Sequence, residues 1–99
     1  MNSITPFFTI IVTSYNQLDL LKKTLESVFE QTYKDFELII ADDSSNDGTV
    51  EWLKTLDDKR IKLQLNPNNL GIPLNRNMAL SNSTGKFVAI LDGDDTFNK

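Results

Sequence analysis

The chain has 99 residues, 39% of them hydrophobic and 24% charged, with a formal net charge of -4. That length supports one domain with a modest core, and the ordinary apolar content argues against disorder. An acidic balance without any cluster of lysine or arginine argues against a nucleic-acid backbone or an anionic membrane surface as partner.

Cysteine and histidine are both absent. Disulfides and thiolate sites are therefore excluded, and a bound metal would be held by oxygen, which favours Mg²⁺, Mn²⁺ or Ca²⁺ over Zn²⁺. Any general base must be a carboxylate or lie outside this chain. The N-terminus has no basic stretch followed by an apolar core, so neither a signal peptide nor a membrane span is expected. The expected location is the cytoplasm, extending to the inner face of the membrane for a full-length parent. The chain stops four residues after Asp95 without an element to cover that strand exit, which reads as a truncated domain.

Phe7-Phe8-Thr9-Ile10-Ile11-Val12 is β-branched and aromatic and reads as a buried strand ending in the polar turn Thr13-Ser14-Tyr15-Asn16. Asn16 is placed to cap a helix with Leu18, Leu21, Leu25, Val28 and Phe29 on one face, running to about Gln31. Phe36 to Ala41 forms a second strand, which exits into the turn-rich Asp42-Asp43-Ser44-Ser45-Asn46-Asp47-Gly48. A second helix starts near Thr49, with Val50, Leu53 and Leu56 inward and Trp52 at its edge.

Ile61-Lys62-Leu63-Gln64-Leu65 alternates apolar and polar, as a strand at or near a sheet edge does. After the loop Asn66 to Gly71, Pro73 suits the first turn of a third helix carrying Leu74, Met78 and Ala79 or Leu80, with Gly85 as its stop. Phe87-Val88-Ala89-Ile90-Leu91 is a fourth, buried strand, and it runs straight into Asp92-Gly93-Asp94-Asp95. Strand and helix alternating in this way predict an α/β fold, a parallel sheet with helices on both faces. All strand exits then share one edge, where ligands bind. An order of 3-2-1-4 would bring Thr13 to Tyr15, Asp42-Asp43 and Asp92 to Asp95 to one crevice.

Crowded carboxylates repel one another, so the cluster of Asp92, Asp94 and Asp95 is most easily kept by a divalent cation, although acids after a strand also cap helices. Asp42 and Asp43 divide evenly between capping the second helix, a role open also to Ser44 or Asp47, and touching a ligand. Tyr15 either stacks on a planar ring or covers the edge of the core. Arg76 is placed to reach a phosphate or to pair with a surface acid. Asn82-Ser83-Thr84 has the form of a glycosylation sequon but reads as the polar end of a helix.

Several separated stretches then agree. Ile11 to Asn16, Gln31-Thr32-Tyr33, Phe36 to Thr49, Asn69-Leu70-Gly71 with Arg76-Asn77, and Gly85 to Asp95 together resemble the family 2 glycosyltransferases of GT-A fold, in order and over nearly the whole chain. The resemblance implies a Rossmann-like, nucleotide-sugar-binding half of a glycosyltransferase domain over residues 1–99, taking a sugar from a nucleoside-diphosphate donor, in particular a UDP-sugar, to an acceptor hydroxyl on a glycan or lipid-linked glycan. By position, Thr13 and Tyr15 match residues that contact the base, and Asp43 matches an acid that hydrogen-bonds the uracil imide. Asp92 matches the first acid of the Asp-x-Asp motif, near the ribose, and Asp94 and Asp95 match those that serve Mn²⁺ or Mg²⁺. Arg76 matches an arginine near the nucleotide. Thr13-Ser14 departs from the Pro-Thr pair of many members.

The resemblance also puts the catalytic base in the second half of the domain, beyond Lys99, so residues 1–99 alone should not transfer sugar. Apolar surface left open by truncation would favour self-association. Two other readings compete. Asp92-Gly93-Asp94-Asp95-Thr96 fits the Asp-x-Asp-x-Thr signature of haloacid-dehalogenase-type phosphatases, but that motif lies on the first strand of its domain. The other is a non-catalytic α/β interaction module.

Overall fold

The computed structural model describes residues 8–30, 35–85 and 87–92. Its elements are β1 (Phe8–Ser14), α1 (Leu18–Phe29), β2 (Phe36–Asp42), α2 (Thr49–Leu53), β3 (Ile61–Leu65), α3 (Ile72–Ser81) and β4 (Phe87–Asp92). The four strands form one sheet in the order β3-β2-β1-β4, and every pair is parallel. The expected order is therefore the observed one, with Ile61–Leu65 at an end of the sheet.

Because successive strand residues point to opposite faces, β1 and β2 supply two cores. Ile10, Val12, Leu38 and Ile40 pack with Leu21, Leu25 and Val28 of α1 and with Leu53 of α2. Ile11, Ile39 and Ala41 face the other way, against Ala79 of α3. Trp52 lies half-buried at the margin of the first core, as expected, whereas Leu56, expected inward, lies past the end of α2 and is half-buried at the same margin.

Several boundaries shift. Each of β1, β2 and β4 runs through its first polar exit residues, because Thr13 still pairs with Ala41 and Asp92, and Ser14 with Asp42. Phe7 and Gln31 lie outside the described residues; α1 ends at Phe29 with Glu30 as its C-cap. The third helix departs most from expectation. Its buried positions are Asn75 and Ala79, whereas Leu74 and Met78 are exposed. Phe87, Val88 and Ile90 of β4 are exposed as well, so apolar side chains remain uncovered on α3 and β4.

Gly85 does not stop α3, which ends at Ser81 with Asn82 as its polar C-cap. Gly85 is instead required by a close approach: a Cβ there would fall 2.4 Å from the Thr9 backbone nitrogen. Its N–H donates to Thr9 Oγ1 at 2.8 Å, and that hydroxyl donates to Glu37 Oε2 at 2.6 Å. Thr84 also donates to Glu37 Oε2, from its N–H at 2.6 Å and its hydroxyl at 2.9 Å. Lys62 Nζ of the end strand meets Glu37 Oε1 at 2.6 Å. A single buried carboxylate thus ties β1, β2, β3 and the α3–β4 connection together.

Burial opposes ionisation of Glu37, but Lys62, Thr9 and Thr84 outweigh it and pull its pKa from 4.5 to about 2. A lowered folded-state pKa stabilises the fold above the unfolded value and loses that contribution as pH falls through the folded one, here between 4.5 and about 2. The drop corresponds to roughly 3 kcal/mol near neutrality. Urea unfolding of Glu37→Gln should therefore show a deficit of about 2–3 kcal/mol at pH 7 that closes as pH approaches 2; a deficit independent of pH would contradict this role.

Candidate functional site

Three strand exits lie side by side, because β1 is flanked by β2 and β4. Thr13, buried, sits in register between Ala41 and Asp92. Asp43 extends the ladder past β2 by donating its N–H to the Ser14 carbonyl at 2.9 Å. Tyr15 follows directly and is 48% exposed, so its side chain is available to a ligand at this edge.

The loops after β1 and β2 are interlocked. Asn16, at φ 50°, donates its N–H to Ser45 Oγ and accepts the Asn46 N–H on Oδ1, both at 2.8 Å. Asn16 therefore does not cap α1, whose N-cap is Gln17 with no side-chain hydrogen bond. Asp47 takes that role from the neighbouring loop. Its Oδ2 accepts the Leu18 N–H at 3.2 Å, and its Oδ1 accepts from the Thr49 N–H and hydroxyl. The Thr49 hydroxyl, against burial, and the Leu18 and Thr49 N–H groups hold Asp47 below the usual carboxylate range. Asp42 accepts from the Ser45 N–H and hydroxyl and so shapes its own loop. Of the four candidates for capping α2, whose N-cap is Gly48, Asp47 is the one that accepts the N–H of its first residue, Thr49.

Asp43 is organised differently. It is 5% exposed, and the β3–α3 loop folds around its carboxylate. Oδ1 accepts the Leu70 N–H at 2.7 Å and Asn66 Nδ2 at 3.0 Å, while Oδ2 accepts the Gly71 N–H at 2.9 Å. Burial disfavours the charge, but these donors outweigh it and hold the carboxyl below its ordinary pKa. Asp43 is thus an ionised, acceptor-only group near neutral pH. Among the described residues Oδ2 takes one hydrogen bond against two on Oδ1, which leaves it capacity to accept another.

Behind Asp43 stand polar residues that periodicity did not single out. Asn66 and Asn75 are both buried, and Gln64 reaches the Asn75 side-chain oxygen at 3.1 Å. The available signal was chemical: Asn75 stands inside a helix, where asparagine is a poor former, and Glu37 interrupts an otherwise apolar strand.

Arg76 is half-buried on α3 and makes no ion pair among the described residues. Asp92 is placed by its backbone at the end of β4, beside Thr13. Asp94 and Asp95, expected to serve a metal, lie outside the described residues, as does the rest of the exit loop. Among the described residues no group of three or more acidic side chains is placed to hold a metal ion. A cleft of about 530 Å³ lies between α1 and α2, lined by Leu25, Phe29, Trp52 and Leu56 with Lys22, Glu26 and Glu30. None of these residues is at a strand exit, and the cleft lacks the convergent acceptors of the sheet edge.

A parallel 3-2-1-4 sheet whose ligand edge carries Tyr15 and a buried acid is the architecture of a nucleotide-binding α/β domain of GT-A type. The chain belongs to glycosyl transferase family 2, whose family model matches residues 9–99. It is 38% identical over 101 residues to the putative teichuronic acid biosynthesis glycosyltransferase TuaG of Bacillus subtilis, covering 100% of this chain and 40% of that protein. It is 41% identical over 87 residues to the UDP-Glc:alpha-D-GlcNAc-diphosphoundecaprenol beta-1,3-glucosyltransferase WfaP of Escherichia coli, covering 88% of this chain and 35% of that one.

Among solved structures, S. aureus TarS 1-349 in complex with UDP-GlcNAc superposes with a TM-score of 0.85 at 33% identity, over 93% of this chain and 28% of that one. The mannosyltransferase PcManGT from Pyrobaculum calidifontis in complex with GDP-Man and Mn²⁺ gives a TM-score of 0.83 at 30% identity, over 98% and 30% of the respective chains. The chain thus spans less than half the length of these relatives. No helix among the described residues is long and apolar enough to cross a membrane.

The Asp43 pocket depends on Gly71, whose φ of 87° and ψ of 159° are open essentially to glycine alone. A Cβ there meets nothing within 4 Å, so Gly71→Ala introduces backbone strain without a clash. It should destabilise by about 1–3 kcal/mol in urea unfolding; a cost below roughly 0.5 kcal/mol, the range of an ordinary surface change, would show that the loop can be built another way.

Proposed function

We propose that these residues form the donor-binding part of a glycosyltransferase that moves a sugar from a nucleoside-diphosphate sugar, with UDP-sugars the best fit, to an acceptor hydroxyl on a glycan or lipid-linked glycan. The observation that carries this reading is the adjacency of Tyr15, Asp43 and Asp92 at the exits of three neighbouring parallel strands. Tyr15 offers a ring for the base to stack on, and Thr13, two residues before it, would also contact the base. Asp43, an ionised acceptor, suits a base that presents an imide N–H. On this reading Asp92 would serve the ribose and Arg76 the phosphates. The bound donors of TarS and PcManGT, UDP-GlcNAc and GDP-Man, both fit this chemistry, since uracil and guanine each carry a ring N–H.

Residues Asp94 and Asp95 would hold Mn²⁺ or Mg²⁺ against the diphosphate. The donor set fits such an ion, because a chain without histidine or cysteine offers only oxygen ligands, which hard cations prefer. Bound there, the ion would act as a Lewis acid toward the negative charge that develops on the diphosphate leaving group. The chain's own residues bind and orient the donor. The base that deprotonates the acceptor hydroxyl lies, on this reading, outside residues 1–99, so these residues alone would bind a nucleotide weakly at best and would not transfer sugar. Action at the cytoplasmic face of the membrane would suit a lipid-linked acceptor such as the one in WfaP's name.

Calorimetric titration of the full-length protein with UDP and Mn²⁺ tests the reading. Wild type should bind UDP in a Mn²⁺-dependent manner, and Asp94→Ala should weaken binding by at least tenfold. Absence of nucleoside-diphosphate binding, or an unchanged Asp94→Ala, would refute the donor site.

A further inference from the structure

The Asp43 carboxylate is fixed by more than the loop around it. Asn66 Nδ2 donates to Asp43 Oδ1 at 3.0 Å and to Asn75 Oδ1 at 2.7 Å, which uses both of its amide hydrogens. Asn75 Nδ2 in turn donates to the Ala41 carbonyl at 2.9 Å. Ala41 lies two residues before Asp43 on the same chain segment, so the path from Asp43 through Asn66 and Asn75 closes on β2 itself. The carboxylate is thereby referenced to the sheet. The Leu70 and Gly71 N–H groups, which come from a loop, complete the cradle.

Stability alone does not call for this arrangement. Asn75 is 2% exposed in a helix interior, where asparagine is less favourable than alanine by roughly half a kcal/mol and where its amide must also be desolvated. Ala79, one turn along the same helix, packs on the sheet with no polar group at all. A connected chain of buried hydrogen bonds chiefly specifies a unique geometry, and the group at the end of this one is Asp43.

We propose that Asn66 and Asn75 are positioning residues that fix the Asp43 carboxylate against an incoming nucleobase, and through it set the site's preference for a base offering an imide N–H. The proposal rests on the reading of Asp43 as the acid that faces the base. Uracil carries a hydrogen on N3 and donates it to a carboxylate; cytosine presents a lone pair there, which the carboxylate opposes. Oδ2, with Gly71 N–H as its single partner among the described residues, is the oxygen with capacity for that donor. If the carboxylate could turn, it would accommodate the cytosine amino group instead and the discrimination would fade.

The test is the ratio of dissociation constants for CDP and UDP, measured by calorimetry on the full-length protein with Mn²⁺ present. Wild type should favour UDP. Asn75→Ala and Asn66→Ala should each lower the CDP-to-UDP ratio at least fivefold, through weaker UDP binding with CDP affinity nearly unchanged. Either alanine variant suffices if the other fails to fold. An equal loss for both nucleotides means a merely structural role and overturns the proposal, as does an unchanged ratio. Asp43→Asn separates the two levels. If it abolishes the ratio while the asparagine variants keep it, only the positioning role falls; if it too keeps the ratio, or wild type shows no preference, the reading of Asp43 falls and the proposal with it.

Discussion

Strand β1 is the constraint from which the rest of the structure follows. It is hydrogen-bonded along both edges, and Thr9 to Ser14 are buried, with Ile10 and Val12 in one core and Ile11 in the other. A one-residue slip would exchange the two faces, so register is fixed on both sides at once. Fixing it sets Thr13 beside Ala41 and Asp92 and delivers Tyr15 and Asp43 to the same edge. The placement of these exits is therefore a consequence of core packing.

The two ends of the sheet carry different chemistry on the α3 face. Toward the strand starts, Glu37 collects Thr9, Thr84 and Lys62 and acts as a structural tie. Toward the exits, Asp43 collects two loop N–H groups and Asn66 and presents an anion at the ligand edge. Both carboxyls are held ionised against burial by hydrogen-bond donors. Their consequences differ because Glu37 is enclosed by four segments of the fold, while Asp43 lies beside an exposed aromatic residue at the sheet edge. One physical device thus serves stability at one end and, on the proposed reading, recognition at the other.

Much of this was legible in the sequence, for identifiable reasons. Apolar runs such as Phe36 to Ala41 and the alternation from Ile61 to Leu65 gave the strands and the end position of β3, and strand–helix alternation gave the parallel order. The exits ran further than the turn residues suggested, since Thr13, Ser14 and Asp42 are small or polar yet still pair. Helix α3 was misread because its apolar residues Leu74 and Met78 are exposed and a polar one, Asn75, is buried, the reverse of what hydrophobic periodicity assumes. Asn16 was misassigned as a cap because the capping acid, Asp47, comes from a loop about thirty residues away, a contact that only the tertiary fold creates. The position of Tyr15 and Asp43 at the strand exits followed from the sequence; Asn66, Asn75 and Glu37, which hold Asp43 and the sheet, carry no motif of their own.

On the proposed reading, the exits of β1, β2 and β4 form one site for a nucleoside diphosphate and its metal. Paramagnetic broadening by Mn²⁺ in the presence of UDP, read residue by residue from amide NMR spectra of the full-length protein, tests it most directly. Tyr15, Asp43 and Asp92 should broaden together at the lowest Mn²⁺ additions while the Trp52 indole stays sharp. Broadening centred on Trp52 and its cleft, or none at the three exits with UDP bound, would contradict it.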